Sequence, residues 1–161
     1  MIVGRVHLAA RRFELAEHSC DGAERLNPND ADILAEYGLA LGYVDRSEEA
    51  ETVLRKAIGL NPLAPDWYLW FLGNVLFSLG RYEEVVAVLG RMRDPTQGNR
   101  LLAACHGLLG RVEIARAYGR EVLAAQPNFS IEAWNKHLPQ DPRQGVTDRY
   151  VAGLRLAGLP P

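Results

Sequence analysis

The tripeptide Leu-Asn-Pro occurs twice in this sequence, and its spacing is the feature that most restricts the fold. It stands at residues 26–28 and again at 60–62, so Pro28 and Pro62 are 34 residues apart. Pro95 and Pro127 continue the series at intervals of 33 and 32 residues. A sequence that repeats at an interval of this size folds as stacked copies of one small unit, with a core spread along the stack.

Further signals recur in register with the prolines. Each of four units carries an acidic segment that ends in a small residue or valine, at 13–16, 47–50, 82–85 and 112–115. Acidic side chains are favoured in the first turn of a helix, and proline ends the helix before it. Gly38 and Gly73 stand where a first helix must approach its neighbours closely, and Ala103 takes that place in the last unit. Each unit is therefore predicted to be two antiparallel helices.

A period near 34 residues, with glycine in the first helix and proline after the second, resembles the tetratricopeptide repeat. The resemblance implies an all-α fold, a right-handed α-solenoid of antiparallel helix pairs with C-terminal capping helices. The predicted organisation is a partial first repeat at 1–28, three repeats at 29–127 and a capping segment at 128–161. Predicted helices lie at 13–26, 31–44, 47–59, 65–79, 82–93, 96–109 and 112–125.

The two ends of the chain depart from the repeat. Residue 1 falls in the middle of the first helix of repeat 1, so we expect either a piece of a longer protein or a second subunit that covers this face. After Pro127, Ser130 is the predicted N-cap of a short helix, and 147–157 is a predicted amphipathic helix. We interpret this tail as a cap of the solenoid, and an independent binding element is the alternative.

Composition argues against several classes of partner. The 18 basic and 20 acidic side chains give a formal net charge of −2, which provides no electrostatic basis for binding nucleic acid. The longest uncharged segment, 67–80, is shorter than the roughly 20 apolar residues of a membrane span. Cys20 and Cys105 are far apart and are expected to be reduced, buried thiols, which favours a cytoplasmic protein.

The sequence also lacks the common catalytic motifs. It contains no phosphate-binding glycine loop, no Gly-x-Ser-x-Gly turn and no His-Glu-x-x-His pair, and its four histidines are isolated. We interpret His106 as a histidine of the core or groove and not as a metal ligand. The prediction is a chain without enzymatic activity, cofactor or metal.

In a solenoid of this class, the first helices line a concave groove that suits a protein or peptide partner. Asn74 is expected to hydrogen-bond a peptide backbone and Arg100 to meet a carboxylate. The alternative for Trp67 and Trp70 is that they pack between repeats. The other hypothesis for the whole chain is self-association into a homo-oligomer through its N-terminal face. By repeat register, the predicted groove residues are Tyr43, Trp67, Trp70, Asn74, Phe77, Arg100 and Leu108.

A narrower resemblance rests on Pro-Asp-Trp-Tyr at 65–68 and on Gly-Leu-Arg-Leu-Ala-Gly-Leu-Pro at 153–160. These segments look like the C-terminal repeat region of bacterial class III adenylate/guanylate cyclases. The resemblance implies an interaction or regulatory role in a signalling protein, because the metal-binding aspartates of those enzymes lie in a catalytic domain that these residues do not include. A C-terminal fragment of such a cyclase is the alternative it leaves open.

Overall fold

The computed structural model describes residues 12–137 and 144–161, and these residues form helices and turns without a strand. The first-repeat helix that would precede residue 12 lies outside the described residues, so association through that face stays a prediction. The helices are α1 Phe13–Leu26, α2 Ala31–Tyr43, α3 Ser47–Leu60, α4 Asp66–Ser78, α5 Tyr82–Leu89, α6 Asn99–Leu108, α7 Val112–Ala125, α8 Ile131–His137 and α9 Gln144–Leu156. A short 3-10 helix, Pro95–Gly98, precedes α6.

Side-chain caps begin α2 and α8, and the second of these is the predicted cap at Ser130. The Asp30 carboxylate accepts a hydrogen bond of 3.0 Å from the backbone N–H of Ile33 at the start of α2. The Ser130 hydroxyl accepts one of 3.0 Å from the N–H of Ala133 at the start of α8. Each bond satisfies an N–H that the first turn of a helix leaves without an intrahelical partner.

In the three repeats at 29–127, the turn between the two helices has a backbone conformation with positive φ. Gly80 and Gly110 have φ values of 76° and 74°, and Asp45 holds the equivalent place in the preceding repeat with φ 64°. This left-handed conformation ends the first helix and is the one that glycine adopts most readily. The pairs α2–α3 and α6–α7 are each joined by such a turn.

The main departure from the predicted boundaries surrounds α5. This helix ends at Leu89 and not at residue 93, and the predicted helix 96–109 begins as a 3-10 turn. The Asp94 carboxylate accepts a 3.0 Å hydrogen bond from the N–H of Thr96, and Pro95 opens the turn. The local cap therefore competes with continuation of the α-helix.

The chain divides into two compact units, residues 1–79 and 80–161. In the first unit, α2 packs on α1, α3 and α4, and α3 packs on α4. Gly38 permits the α2–α3 contact, because a β-carbon there would lie 2.6 Å from Cγ of Leu54. The hydroxyl of buried Tyr68 on α4 bonds the Asp32 carboxylate on α2. These contacts hold the first helices of two successive repeats side by side.

In the second unit, α6 packs on α5, α7 and α9. The chain end returns to α8, since the N–H of Ile131 donates a 2.9 Å hydrogen bond to the carbonyl of Pro160. Leu154 and Ala157 are buried, and so is Leu159 beyond the end of α9. Over the described residues, no helix combines the length and the apolar character needed to cross a membrane.

Candidate protein-binding surfaces

The helix α4 carries a row of aromatic side chains along one partly exposed face. Trp67, Trp70, Phe71 and Asn74 all lie at intermediate exposure, whereas their neighbour Tyr68 is fully buried. The ring centres of Trp67 and Phe71 are 5.1 Å apart, and those of Trp70 and Phe71 are 5.7 Å apart. We call these four residues the aromatic face of α4. Each ring packs partly on its neighbours and keeps part of its surface accessible. Trp67 and Trp70 therefore combine features of a groove residue and of a residue that packs between repeats.

Asn74 is engaged within its own helix. Its amide nitrogen donates a 2.7 Å hydrogen bond to the backbone carbonyl of Trp70, and Ser78 repeats the pattern with a 3.1 Å bond to the carbonyl of Asn74. This bond uses one of the two N–H donors of the amide, so the expected bond from Asn74 to a peptide backbone is not excluded by it and stays a prediction.

The assignment of Phe77 to the groove is wrong in this structure. Its side chain is only 1% exposed, so it is a core residue. Repeat register assigns faces by counting residues, and Phe77 lies at the edge of the aromatic face, where the helix surface turns towards the interior. Tyr43 and Leu108, the last residues of α2 and α6, are both partly exposed.

Arg100 is partly exposed and contacts the C-terminal helices α8 and α9. Its guanidinium carbon lies 4.9 Å from the ring centre of Trp134 on α8, and its side chain hydrogen-bonds Tyr150 on α9. The rings of Trp134 and Tyr150 are 4.9 Å apart. Burial raises the pKa of Tyr150 to about 12 against the opposing effect of the Arg100 charge. The Arg100 guanidinium is therefore engaged by aromatic rings of α8 and α9, and its contact with a ligand carboxylate stays a prediction.

The remaining candidates for chemistry are buried. Cys20 and Cys105 are free thiols in the interior, as predicted, and burial raises their pKa values to about 11 and about 12, which keeps them protonated and unreactive. His106 is 5% exposed and stacks on Tyr118 with ring centres 5.5 Å apart. Among the described residues, no group of three His, Cys, Asp or Glu side chains is placed to hold a metal ion.

Sequence reasoning missed Phe71, Tyr150 and Gly153. Phe71 follows Trp67 by four residues, so helical spacing alone puts it on the same face. The sequence carries no comparable signal for Tyr150 and Gly153, because their importance depends on which helix α9 packs against.

Residues 31–62 match the sequence model of the tetratricopeptide repeat family. They contain α2, α3 and the turn that follows, which is one complete helix pair. The predicted repeat class is thereby confirmed for this helix pair. The predicted fold class, an all-α solenoid of antiparallel helix pairs, is confirmed by solved structures of the same fold. Stacked helix pairs of this kind present extended surfaces on which other proteins bind.

One relative supports the narrower resemblance over a short segment. The protein named "Putative adenylate cyclase 3" of Rhizobium meliloti (strain 1021) is 50% identical over 46 residues. The match covers 28% of this chain and 8% of that protein, so the chain spans only a small part of the length of this relative.

Two solved structures share the fold over nearly the whole chain. MamA residues 41 to the end, from Desulfovibrio magneticus RS-1, has a TM-score of 0.69 and 19% identity, and covers 96% of this chain and 90% of that one. YrrB, described as a TPR protein with an unusual peptide-binding site, has a TM-score of 0.64 and 16% identity, with coverages of 96% and 86%. At these identities, the likeness shows the fold alone.

Proposed function

We propose that this chain is a non-catalytic interaction module that binds a peptide or a partner helix on the aromatic face of α4. The observation that carries the proposal is the row formed by Trp67, Trp70 and Phe71, which keeps accessible surface along more than one turn. Tryptophan and other large aromatic side chains dominate the binding energy of protein interfaces, because they bury a large area at low entropic cost.

The neighbouring helix α2 extends the candidate surface within the first unit. Gly42 on α2 faces Val75 on α4 so closely that a β-carbon would lie 3.2 Å from Cγ2 of Val75. Leu39 and Tyr43 are partly exposed on the same helix. A ligand lying on α4 would therefore meet apolar surface from both helices, which favours an amphipathic segment with aliphatic or aromatic anchors.

The match to a relative named as an adenylate cyclase supports a more specific placement, beside a bacterial signalling protein of the nucleotide-cyclase type in the cytoplasm. In that setting, this chain supplies the protein contact and a neighbouring domain supplies the chemistry. The interior position of His106 and of both thiols agrees with a binding role.

A peptide-display selection against the wild-type chain tests the proposal. We expect Trp70→Ala to weaken binding of the selected peptides by about tenfold or more, the size typical of a truncated interface hot spot. Leu63→Ala is the matched control, since Leu63 is 77% exposed and lies in the turn just before α4. Circular dichroism of both variants should show the helical content of the wild-type chain.

Equal binding of the selected peptides to the wild-type and Trp70→Ala chains would contradict the proposal. A loss of helical content in Trp70→Ala alone would also overturn it, because Trp70 would then be an interior residue of the repeat stack.

A further inference from the structure

In the second unit, the face of α6 that corresponds to the aromatic face of α4 is covered by α9. Gly73 of α4 and Ala103 of α6 hold the same place in the repeat, so Trp70 corresponds to Arg100 and Asn74 to Ala104. Arg100 bonds Tyr150 of α9, and Ala104 contacts Gly153 of the same helix. The last helix therefore occupies the surface that the repeat register assigns to a ligand.

At the contact between α6 and α9, the backbones of the two helices pack directly against each other. A β-carbon added at Gly153 would lie 2.5 Å from the carbonyl oxygen and 2.8 Å from Cα of Ala104. A β-carbon at Gly107 would lie 2.6 Å from the carbonyl oxygen of Gly153 and 3.1 Å from Cβ of Leu156. The helix that fits on α6 must therefore carry glycine at the crossing point.

The rest of the contact defines the other requirements of the occupant. One turn before the crossing, the hydroxyl-bearing ring of Tyr150 meets Arg100. One turn after it, Ala157 approaches α7 so closely that a β-carbon at Gly119 would lie 2.5 Å from the Ala157 carbonyl oxygen. Leu154, beside the crossing, is fully buried. The occupant is thus a helix with the order Tyr, Gly, Leu and Ala on one face.

We propose that this face of α6 is a second helix-binding surface, held closed by α9, and that it receives a helix of the same chemistry from a partner protein. α9 follows α5, α6 and α7 in sequence, so its departure leaves those three helices continuous. α8 holds the place in sequence of the next repeat's first helix, and α9 is an additional helix that packs on α6. The inference involves no residue of the aromatic face of α4 and stands or falls separately from the proposed function.

A labelled synthetic peptide of residues 144–161 is the probe, and Gly153→Val in the full chain is the variant that opens the surface. The valine side chain has no room against Ala104, so α9 should leave α6. We expect the peptide to bind the Gly153→Val chain about tenfold or more tightly than the wild-type chain, where the tethered α9 competes at high effective concentration. Fluorescence anisotropy measures both affinities.

Two controls isolate the crossing point. Ala152→Val changes the adjacent, exposed residue of α9 and should leave peptide binding at the wild-type level. A peptide that itself carries Gly153→Val should fail to bind the opened chain. Failure of the unmodified peptide to bind a Gly153→Val chain that keeps its α6 and α7 helices would overturn the proposal.

Hydrogen exchange of the wild-type chain provides a second test that needs no variant. A surface that receives a partner must open without global unfolding, so amides of α9 should exchange faster than those of α6 and α7, and the peptide should slow the exchange of α6. Identical exchange of the three helices would overturn the proposal. A concentration-dependent dimer of the wild-type chain that Gly153→Val abolishes would also overturn it, since the occupant would then be a second copy of this chain.

Discussion

At some positions of this protein, glycine is required because a neighbouring helix occupies the space that a side chain would take. Gly38 illustrates this, because the space that its β-carbon would take is filled by Leu54, which is fully buried. The sequence predicted this contact from the recurrence of glycine at one place in successive first helices. It could not predict the equally close approach at Gly153, which lies outside the repeat register and has no counterpart to compare with.

We expect Gly38→Ala to lower the free energy of unfolding by about 1–3 kcal/mol, the usual cost of adding volume to a packed site. Gly22→Ala is the matched control, since it also replaces a glycine inside a helix of the first unit but meets nothing within 4 Å. Helix propensity should make that control more stable by up to about 1 kcal/mol. Urea unfolding of both variants measures the difference. Similar changes in the two variants would show that the α2–α3 contact tolerates a methyl group.

His106 gives the second unit a dependence on pH. Burial lowers its pKa below the ordinary value, the charge of Arg111 lowers it further, and Glu83 acts in the opposite direction. Above pH 7, the imidazole is largely uncharged in both the folded and the unfolded chain. As the pH falls through the unfolded pKa of about 6.5, the unfolded chain binds a proton that the folded chain still excludes, so stability decreases.

The expected decrease between pH 7 and 5.5 is at most about 1.4 kcal/mol per pH unit for this group. His106→Phe keeps a ring against Tyr118 and removes the titration, so the variant should lose that part of the pH dependence. His18→Gln, at an exposed position, should retain it. Chemical denaturation at a series of pH values checks the three profiles, and an unchanged slope in His106→Phe would assign the effect to other groups.

At the scale of helices, the repeat pattern predicted most helix boundaries, because proline and glycine recur at the helix ends. The first four helices begin and end within two residues of their predicted limits. The prediction failed around residue 90, where the Asp94 cap starts a 3-10 turn, since a short side-chain bond outweighs helix propensity at a helix end.

Faces of helices were harder to predict than their limits. Phe77 was assigned to the surface and is buried, whereas Phe71 was missed and lies on the aromatic face. Each residue turns a helix by about 100°, so a residue at the edge of a face cannot be assigned by register alone. The position of α9 was beyond sequence reasoning, because an amphipathic pattern shows that a helix has an apolar side but does not say which helix covers it.

For the whole molecule, the pairing of charged side chains and the net charge both bear on whether the surface can bind phosphate groups. The ion pairs Arg46–Glu49, Arg81–Glu84 and Arg111–Glu83 all lie on exposed surface. Such pairs contribute little to stability, but each one neutralises an arginine that could otherwise attract phosphate. An arginine-rich sequence therefore need not present a basic surface.

We accordingly expect the chain not to bind nucleic acid. Proteins that bind DNA without sequence preference do so with dissociation constants of about 10⁻⁴–10⁻⁶ M at physiological salt, through clusters of Lys and Arg. This chain has a net charge of −2, and arginines in each unit are paired with glutamate. Anisotropy of labelled single- and double-stranded DNA should stay unchanged up to about 100 µM protein in 150 mM salt.

A chain carrying Glu49→Gln, Glu83→Gln and Glu84→Gln releases three paired arginines and is the positive comparison, since any binding should appear there first and weaken as salt is raised. Binding by the wild-type chain within that range would show that its arginines form a phosphate-binding surface despite their partners.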